Sequence, residues 1–452
     1  MTQNVIIIGA GAVGMTVATF LSRHTDHHIR VFSSDTHTAY SQCGMPFALG
    51  SHLFNLTDLI VKPLNVFIDM GIDLHLKTKV NNIDVNSQKV VTKDGIFAYD
   101  FLVIATGSIP FIPPIPGNDL DGVHTLHTLS DGINIEKALN NSTTAVIIGA
   151  GSKGSELAAC LIKRDIKVTL IQSTSQVLPS ILDPDMALIV RQHLISQGIR
   201  VITGIRVDRI NSNDSTCVGS VTVGDELLPA DIVIITTGVK PLVDLAMDAG
   251  FDIGPAGGIV TDKYLRVKFN GKFLNNIYAG GECAQVNHLI TNSPILIQSG
   301  AAARRMARVI GKNITRKTST LSTYPQTLHP NVVAMEGLTA GSVGITSQTA
   351  SKHDIYVISG TSKGYTKAGY YPGASPLYIK LIFSDTRLVG AQVVAAEGVK
   401  ERIDALSLAI RMGAVIDDLL RWETSYAPPV SMVIDPVTLA AEDRQKKDVE
   451  IK

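Results

Sequence analysis

The sequence predicts an α/β protein in which two Rossmann-like domains, one inserted in the other, are followed by a C-terminal α+β domain. Three observations predict it. A strand, a glycine turn and a helix occur in succession twice, at Gly9 and again at Gly149. Each unit is followed by an apolar strand that ends in a Thr-Gly pair. From about residue 320 the pattern changes to short alternating strands and an amphipathic helix.

Composition limits the class of protein before any motif is considered. The 452 residues allow about three domains, and a hydrophobic content of 45% excludes disorder. Lys and Arg (40) balance Asp and Glu (40), so nothing in the net charge indicates binding to nucleic acid or an anionic membrane. Four scattered cysteines are no disulfide framework and fit a reducing cytoplasm. The apolar N-terminal stretch is interrupted by glycines and has no preceding Lys or Arg, so we expect neither signal peptide nor membrane segment.

The two glycine turns predict two dinucleotide sites. Residues 5–8 and 145–148 read as buried parallel strands, and each strand runs into GxGxxG and then a helix. In such a unit the first glycine permits the turn, the second admits a pyrophosphate and the third packs the helix on the strand. The glycines are Gly9, Gly11 and Gly14 in the first turn, and Gly149, Gly151 and Gly154 in the second.

The strands that end in Thr-Gly place the domain boundaries. One ends at Thr106 and Gly107, the other at Gly238, and the Pro-rich residues 109–117 read as a linker. We predict a first nucleotide-binding domain of residues 1–113 and 239–319, with the second inserted as residues 114–238. The third domain then spans residues 320–452, with strands predicted at 331–337, 354–359, 377–384 and 388–395 and a helix at 399–412.

Taken together, these motifs and their order resemble the FAD/NAD(P)-dependent pyridine nucleotide–disulfide oxidoreductases. The segment around Cys43, SQCGMPFA, has one cysteine, and Ala48 stands where two-cysteine members have the second. With the segments YAPPVSMVIDP, beginning at Tyr426, and YYPG, beginning at Tyr370, this resembles the single-cysteine branch. That branch includes coenzyme A disulfide reductases, NADH oxidases and peroxidases, and NAD(P)H–sulfur oxidoreductases.

The resemblance implies that Cys43 is the redox centre. In the family this sulfur lies against the flavin and cycles between thiolate and a mixed disulfide or sulfenic acid. Gly44 and Pro46 suit an entry into a helix, whose N-terminus would lower the pKa of the thiol. Ser41 and Gln42 beside it are expected to contact substrate. An inert buried cysteine is the alternative reading, and it is the one we favour for Cys160.

In coenzyme A disulfide reductases, tyrosines of one subunit reach the cysteine of the other. The resemblance therefore implies a homodimer with shared active sites, in which Tyr426, Tyr370 and Tyr371 bind a small thiol or disulfide. Tyrosines that merely pack at a dimer interface are the alternative.

The resemblance also assigns the cofactor residues. FAD is expected at Gly9, Gly11, Gly14, Asp35, Thr106, Gly107, Gly281 and Glu282, and NADH or NADPH at Gly149, Gly151, Gly154, Glu156, Gln172 and Gly238. Four positions depart from the family pattern. Ser33 stands where the ribose-binding Glu is usual, with Asp35 as a substitute, and Gln172 stands at the corresponding acid of the second domain. Ser152 replaces the aromatic residue that gates the flavin, and Glu282 replaces Asp. The donor is left open between NADH and NADPH.

Coenzyme A carries phosphates, so its channel should present cations. Arg23, Arg304, Arg305 and Arg308 are the candidates, and solvated helix faces are the alternative. No metal site is expected, because the histidines near residue 30 fall in a polar turn.

The predicted activity is electron transfer from NAD(P)H through FAD and Cys43 to a low-molecular-weight disulfide, coenzyme A disulfide first. Peroxide- and oxygen-reducing members carry a histidine in the first glycine loop, whereas Ala12 and Val13 stand here and cannot donate a proton. An NADH oxidase or peroxidase and a sulfur or polysulfide reductase remain alternatives. Loss of both ribose acids also leaves open a flavoprotein redox sensor without efficient turnover.

Overall fold

The computed structural model describes residues 2–50, 54–213, 216–315 and 320–450. Three large sheets organise these residues. The α-helices are Ala12–His24, Met45–Gly50, Leu64–Asp69, Leu129–Leu139, Ser152–Leu161, Pro184–Ser196, Asp244–Asp248, Gly300–Thr315, Ser347–Lys352, Val399–Met412, Ile416–Leu420 and Pro436–Glu450.

The first sheet takes strands from both sides of the inserted segment. Its six strands, in spatial order, are Arg266–Phe269, Lys272–Ala279, Phe101–Ile104, Asn4–Ile8, His28–Phe32 and Ile72–His75. All neighbours pair in parallel except the hairpin at one edge. Along the central strand, Val5 and Ile7 face the helices Ala12–His24 and Gly300–Thr315, while Ile6 and Ile8 face the opposite core, as the two-residue period requires.

The second sheet repeats this plan with five parallel strands. In order they are Arg200–Thr203, Lys167–Gln172, Thr144–Ile148, Ile232–Ile235 and Val123–Thr125. The two sheets are joined by an antiparallel ribbon of Ser108–Pro110 with Val239–Pro241. Two nucleotide-binding folds, one inserted in the other, are therefore present, as the sequence predicts; the residue-level domain boundaries stay predictions.

Each sheet of the two nucleotide-binding folds carries a small antiparallel sheet that the sequence analysis did not predict. One consists of Val80–Asp84, Lys89–Thr92 and Gly95–Ala98, and the other of Arg209–Ser212, Val218–Val223 and Glu226–Pro229. The shorter strands are Ile259–Val260, Ala284–Asn287 and Pro294–Ile295.

The C-terminal sheet is antiparallel, and one strand in it begins later than predicted. Its order is Asn331–Met335, Leu338–Gly344, Arg387–Ala395, Pro376–Ser384 and Ile358–Tyr365. The strand predicted at 354–359 begins only at Ile358 and continues to Tyr365, because Asp354 has a left-handed φ of 54° and Ile355 and Val357 pack against a small apolar cluster before the strand starts. The helix Val399–Met412 lies where it was predicted.

A buried polar network fastens the second nucleotide-binding fold to the C-terminal sheet. Asp183, at the start of helix Pro184–Ser196, has a side chain that is only 1% exposed, and its Oδ2 lies 3.1 Å from Lys380 Nζ. Gln392, which pairs across the strands with Lys380, donates from Nε2 to the same oxygen at 2.9 Å, and Ser347 Oγ donates to it at 2.8 Å. Lys380 also binds both oxygens of the exposed Asp185 at 2.9 Å. The network therefore orients these two parts of the chain.

Within the residues described, no helix combines the length and the hydrophobicity needed to cross a bilayer.

Candidate active site

The first glycine turn has the geometry of a phosphate-binding cradle. Gly9 follows the strand Asn4–Ile8 with a φ of 111°, and a Cβ there would lie 2.1 Å from the Ala105 carbonyl oxygen. A Cβ on Gly14 would lie 1.9 Å from the Gly9 oxygen, so these two glycines are required by the packing. A Cβ on Gly11 would meet nothing within 4 Å, which leaves the space above the start of helix Ala12–His24 open to a ligand.

The second turn repeats these three environments. Gly149 has a φ of 110°, a Cβ on Gly154 would lie 1.9 Å from the Gly149 oxygen, and Gly151 faces open space at the start of helix Ser152–Leu161. Two cradles of this kind, each at the carboxyl end of a parallel strand, fit two dinucleotides.

The Thr-Gly pairs lie at the junction between the two folds. Gly107 and Gly238 both have positive φ, and a Cβ on either would meet nothing within 4 Å. Thr106 Oγ1 donates to the Leu242 carbonyl at 2.7 Å, so its hydroxyl stabilises the connecting ribbon. Gly281 lies against Val13 of the first glycine helix, and Glu282 after it accepts a hydrogen bond from Ser108.

The two candidate ribose-binding positions are engaged by the protein itself. Asp35 accepts hydrogen bonds from the Tyr40 hydroxyl at 2.8 Å and the His37 backbone at 3.1 Å. Gln172 accepts from the Ala150 backbone at 2.7 Å and donates to Thr174 at 2.8 Å. Gln172 thus holds the second glycine turn to its neighbouring strand. The ribose-binding roles of both residues stay predictions.

Cys43 is exposed in the 3₁₀ turn Gln42–Gly44, which leads into helix Met45–Gly50. That helix packs against Ser152–Leu161, the helix of the second glycine turn, because Gly50 allows contact with Cys160. Ser41 and Gln42 directly precede Cys43, and their contact with substrate stays a prediction. The other three cysteines lie elsewhere: Cys160 and Cys283 are buried, and Cys217 is exposed.

The charges around Cys43 come from two parts of the chain, helix Ser152–Leu161 and Glu282. Cys43 keeps contact with solvent, yet partial burial raises the pKa of its thiol, and the carboxylates Glu156 and Glu282 raise it further. The ammonium of Lys153 acts in the opposite direction. The expectation that a helix N-terminus lowers this pKa is therefore wrong for the sum of effects, because burial of the thiol, and after it the nearby carboxylates, disfavour the thiolate.

Glu156, which the sequence analysis assigned to the NAD(P)H site, lies on helix Ser152–Leu161; that role stays a prediction. Burial raises the pKa of Glu156 to about 7, although a hydrogen bond from the Ala334 backbone at 3.2 Å and the Lys153 charge both lower it. Ala334 belongs to the first strand of the C-terminal sheet, so this carboxyl also connects the site to that sheet.

Two residues of this site were missed from the sequence. Lys153, in the first turn of helix Ser152–Leu161, donates from Nζ to the Leu126 carbonyl at 2.6 Å. His127 lies close enough for burial and the Lys153 charge to lower the pKa of its ring. A lysine inside a glycine turn was a visible signal for the first; nothing local marks His127, which reaches the site through the tertiary fold.

The three tyrosines belong to the C-terminal part of the chain. The side chains of Tyr370 and Tyr426 hydrogen-bond each other, and Tyr371 is also exposed. Around them lies a groove of about 340 Å³ whose lining includes Met432, Val433 and Ile434. The structure therefore groups the three tyrosines on a surface.

The four candidate arginines do not form one cluster. Helices Ala12–His24 and Gly300–Thr315 run side by side, with Val13 near Met306 and Phe20 against Gly311. Arg23 is therefore level with about residue 314, roughly 15 Å along the helix axis from Arg304. Arg305 bonds Tyr324, and Arg304 and Arg308 are exposed beside it. A single channel lined by all four residues is not formed within one subunit.

The described residues bring no group of three or more His, Cys, Asp or Glu side chains into an arrangement that could hold a metal ion.

Comparison with known proteins gives a consistent result. The sequence model described as pyridine nucleotide-disulphide oxidoreductase matches residues 3–307, and the model of the corresponding dimerisation domain matches residues 330–436. An NADH oxidase from Methanocaldococcus jannaschii is 38% identical over 98% of each chain. A CoA-dependent NAD(P)H sulfur oxidoreductase from Pyrococcus furiosus is 32% identical over 97% of this chain and 98% of its own.

A solved structure extends the likeness to three dimensions. The NAD-dependent persulfide reductase from A. fulgidus superimposes with a TM-score of 0.93 and 33% identity, covering 99% of this chain and 84% of that one.

Proposed function

Because this chain belongs to the pyridine nucleotide-disulphide oxidoreductase family, we propose that it reduces a low-molecular-weight disulfide, coenzyme A disulfide first, through Cys43. Members of the family use FAD and NAD(P)H, and the chain is an NAD(P)H-dependent flavoprotein reductase. The observation that carries the finer proposal is a solvent-accessible Cys43 placed among Lys153, Glu156 and Glu282. The described part of the chain has no second cysteine in this turn, so the sulfur must work alone.

A single cysteine fixes the form of the cycle. The thiolate of Cys43 attacks a disulfide RSSR, forms the mixed disulfide Cys43–S–S–R and releases one thiolate RS⁻. FAD, when bound, would supply the two electrons needed to cleave this S–S bond, with NAD(P)H as the hydride donor. Cleavage regenerates the Cys43 thiolate and releases a second RS⁻. The two released thiolates each take up one proton. One of these protons derives from the hydrogen that NAD(P)H transfers and the other is the H⁺ of the overall reaction, in which NAD(P)H, H⁺ and RSSR yield NAD(P)⁺ and two RSH.

We propose that two subunits complete each site. The match to a dimerisation domain supports a dimer. Beside the tyrosines, Val430, Val433 and Ile434 are exposed, and near the cysteine turn Val61, Leu64 and Ile68 form a second exposed apolar face. Two such faces on one chain are what a twofold dimer would bury against each other. In that arrangement Tyr426 and Tyr370 of one subunit bind the disulfide at Cys43 of the other.

The arginines fit the phosphates of coenzyme A as separate contacts. Arg304, Arg305 and Arg308 lie on one helix, and they are the group we assign to the phosphate-bearing end of the substrate. Arg23, at the far end of the neighbouring helix, is assigned a secondary role. We expect the enzyme to act in a reducing cytoplasm, which would keep Cys43 available.

A second candidate is reduction of sulfur, polysulfide or persulfide with coenzyme A as a carrier. It is favoured by the activities for which the relatives from Pyrococcus furiosus and A. fulgidus are named. The same chemistry of Cys43 serves it, because a persulfide is also a sulfur–sulfur bond. Because the relative from Methanocaldococcus jannaschii is named an NADH oxidase, oxygen is a third acceptor to measure. All these relatives are named as oxidoreductases, which favours turnover over the sensor alternative.

The test compares acceptors in wild type and Cys43→Ser. Coenzyme A disulfide, polysulfide and oxygen are each offered with NADH and then NADPH, and thiol, sulfide and oxygen are measured. The proposal expects disulfide turnover to be fastest in wild type and to fall by several orders of magnitude in Cys43→Ser. Full disulfide turnover by Cys43→Ser, or oxygen uptake far above disulfide turnover in wild type, would reject it.

A further inference from the structure

The chain passes between the two nucleotide-binding folds twice, and the two crossings pair with each other. Residues Ser108–Pro110 lead from the first fold into the second, residues Val239–Pro241 lead back, and together they form the antiparallel ribbon that joins the two large sheets. A change in the geometry of this ribbon would therefore change the angle between the two folds.

One end of the ribbon is held at a single residue, Leu242. Its backbone N–H donates to the Gly107 carbonyl at 2.9 Å, and its own carbonyl accepts a hydrogen bond from Thr106 Oγ1 at 2.7 Å. One Thr-Gly pair thus binds both backbone groups of the residue at which the returning crossing ends. We call this arrangement of Thr106, Gly107 and Leu242 the first clamp.

The other end of the ribbon repeats the arrangement with the roles of the two crossings exchanged. The Phe111 N–H donates to the Gly238 carbonyl at 2.9 Å, and the Phe111 carbonyl accepts from Thr237 Oγ1 at 2.6 Å. Thr237, Gly238 and Phe111 form the second clamp. The two Thr-Gly pairs, which lie 131 positions apart in the chain, therefore do the same structural task at opposite ends of one ribbon.

Each clamp also touches the glycine turn of its own fold. A Cβ on Gly9 would lie 3.3 Å from the Thr106 nitrogen, and a Cβ on Gly149 would lie 3.0 Å from the Thr237 nitrogen. The strands that lead to the threonines pair in parallel with the strands that lead into these glycine turns. A shift of either clamp would therefore be transmitted to a phosphate-binding cradle.

We propose that Thr106 and Thr237 are positioning residues for hydride transfer, because their hydroxyl groups fix the angle at which one dinucleotide cradle faces the other. The inference rests on the proposed function for the assignment of FAD to the first cradle and NAD(P)H to the second. Reaction requires the reacting atoms to be about 3–3.5 Å apart and aligned, so a small rotation at the ribbon is enough to slow it. Neither hydroxyl has to touch a cofactor to have this effect.

The test follows anaerobic flavin reduction by stopped flow in the FAD-loaded enzyme, with the nucleotide that reduces wild type faster. Thr106→Val and Thr237→Val, singly and together, keep the shape of the side chain and remove the hydroxyl. The limiting rate at saturating nucleotide should fall at least about tenfold in the double variant, since a misplacement of about 1 Å can cost about 100-fold. Binding of ADP-ribose, measured by calorimetry, should stay at the wild-type level, because the second cradle keeps its glycines.

Rescue and a matched control separate positioning from stability. The double variant Thr106→Ser with Thr237→Ser retains both hydroxyls and should retain the wild-type limiting rate. Thr25→Val is the control, because Thr25 Oγ1 donates to the Leu21 carbonyl at 2.8 Å at the end of helix Ala12–His24 that is remote from the cradle. It loses a hydrogen bond of the same kind and should keep the wild-type limiting rate. Reduction by dithionite, which needs no bound nucleotide, should be equal in all variants.

The outcomes also separate this inference from the proposed function. A wild-type limiting rate in the double valine variant, or an equal loss in the double serine variant, would overturn the role of the threonines while disulfide reduction by Cys43 stands. Should the double valine variant lose FAD, the two single variants give the same comparison. If the predicted loss is found but Cys43→Ser still reduces disulfide, the positioning role stands and the proposed acceptor chemistry falls.

Discussion

The ion pair between Lys380 and Asp183 should contribute more to stability than any exposed pair of the same chain. Lys380 is 9% exposed and Asp183 is 1% exposed, while Asp185, the second partner of the same ammonium, is 52% exposed. Removing one partner of a buried pair leaves an uncompensated charge and costs about 3–5 kcal/mol. Removing an exposed partner costs about 1 kcal/mol or less. Lys380→Met should therefore destabilise the protein by about 3–5 kcal/mol, and Asp185→Asn should serve as the matched control.

Denaturant unfolding followed by tryptophan fluorescence measures this difference directly. The chain has one tryptophan, Trp422, and it packs against the core of the C-terminal sheet that carries Lys380. Although burial alone would raise the pKa of Asp183, the Lys380 charge and the Ser347 hydrogen bonds lower it overall. A carboxyl whose pKa is lowered by folding stabilises the folded state at pH values above its unfolded pKa. This stabilisation is lost as the pH falls through the folded pKa. The advantage of wild type over Lys380→Met should thus shrink in acid. Equal, small losses in Lys380→Met and Asp185→Asn would refute the reasoning.

Three further results follow from the site. Gly11→Ala should fold normally but bind FAD at least tenfold more weakly. Gly9→Ala should lose at least about 1–3 kcal/mol of stability, because its positive φ is strained for alanine and the added Cβ would also collide with the Ala105 carbonyl oxygen; FAD titration and unfolding separate the two variants. Glu156→Gln should be up to ~3 kcal/mol more stable than wild type at pH 8 and similar to it at pH 4. The reason is that folding raises the pKa of the Glu156 carboxyl from 4.5 to about 7, so wild type loses stability as pH rises through that range; a difference between the two proteins that does not depend on pH would contradict this. Tyr426→Phe and Tyr370→Phe should raise KM for coenzyme A disulfide several-fold and leave NADH-dependent flavin reduction unchanged in stopped-flow measurements.

Local sequence patterns were sufficient to predict the two glycine turns that form the phosphate-binding cradles. Gly9, Gly11 and Gly14 follow a buried strand directly, so turn, ligand space and helix packing are all set within a few residues. The same holds for Cys43, whose turn and helix are encoded by its immediate neighbours.

The electrostatics of the site depend on tertiary structure and could not be read in this way. Lys153 and Glu282 belong to different segments, and their effect on Cys43 depends on distances and burial that only the fold supplies. This is why the predicted lowering of the thiol pKa was wrong. The sequence likewise does not show that Arg23 and Arg304 lie on neighbouring helices at opposite ends of the pair, and their role in binding phosphate stays a prediction.

The central claim is that electrons leave the protein through Cys43 as a cleaved mixed disulfide. The direct measurement is an anaerobic titration with NADH, and separately with NADPH, of wild type and Cys43→Ser after treatment with coenzyme A disulfide. Wild type should consume two equivalents of the effective nucleotide, one for the flavin and one for the sulfur, and release one equivalent of coenzyme A. Cys43→Ser should consume one equivalent and release none. Equal consumption and equal thiol release by the two proteins would contradict the claim.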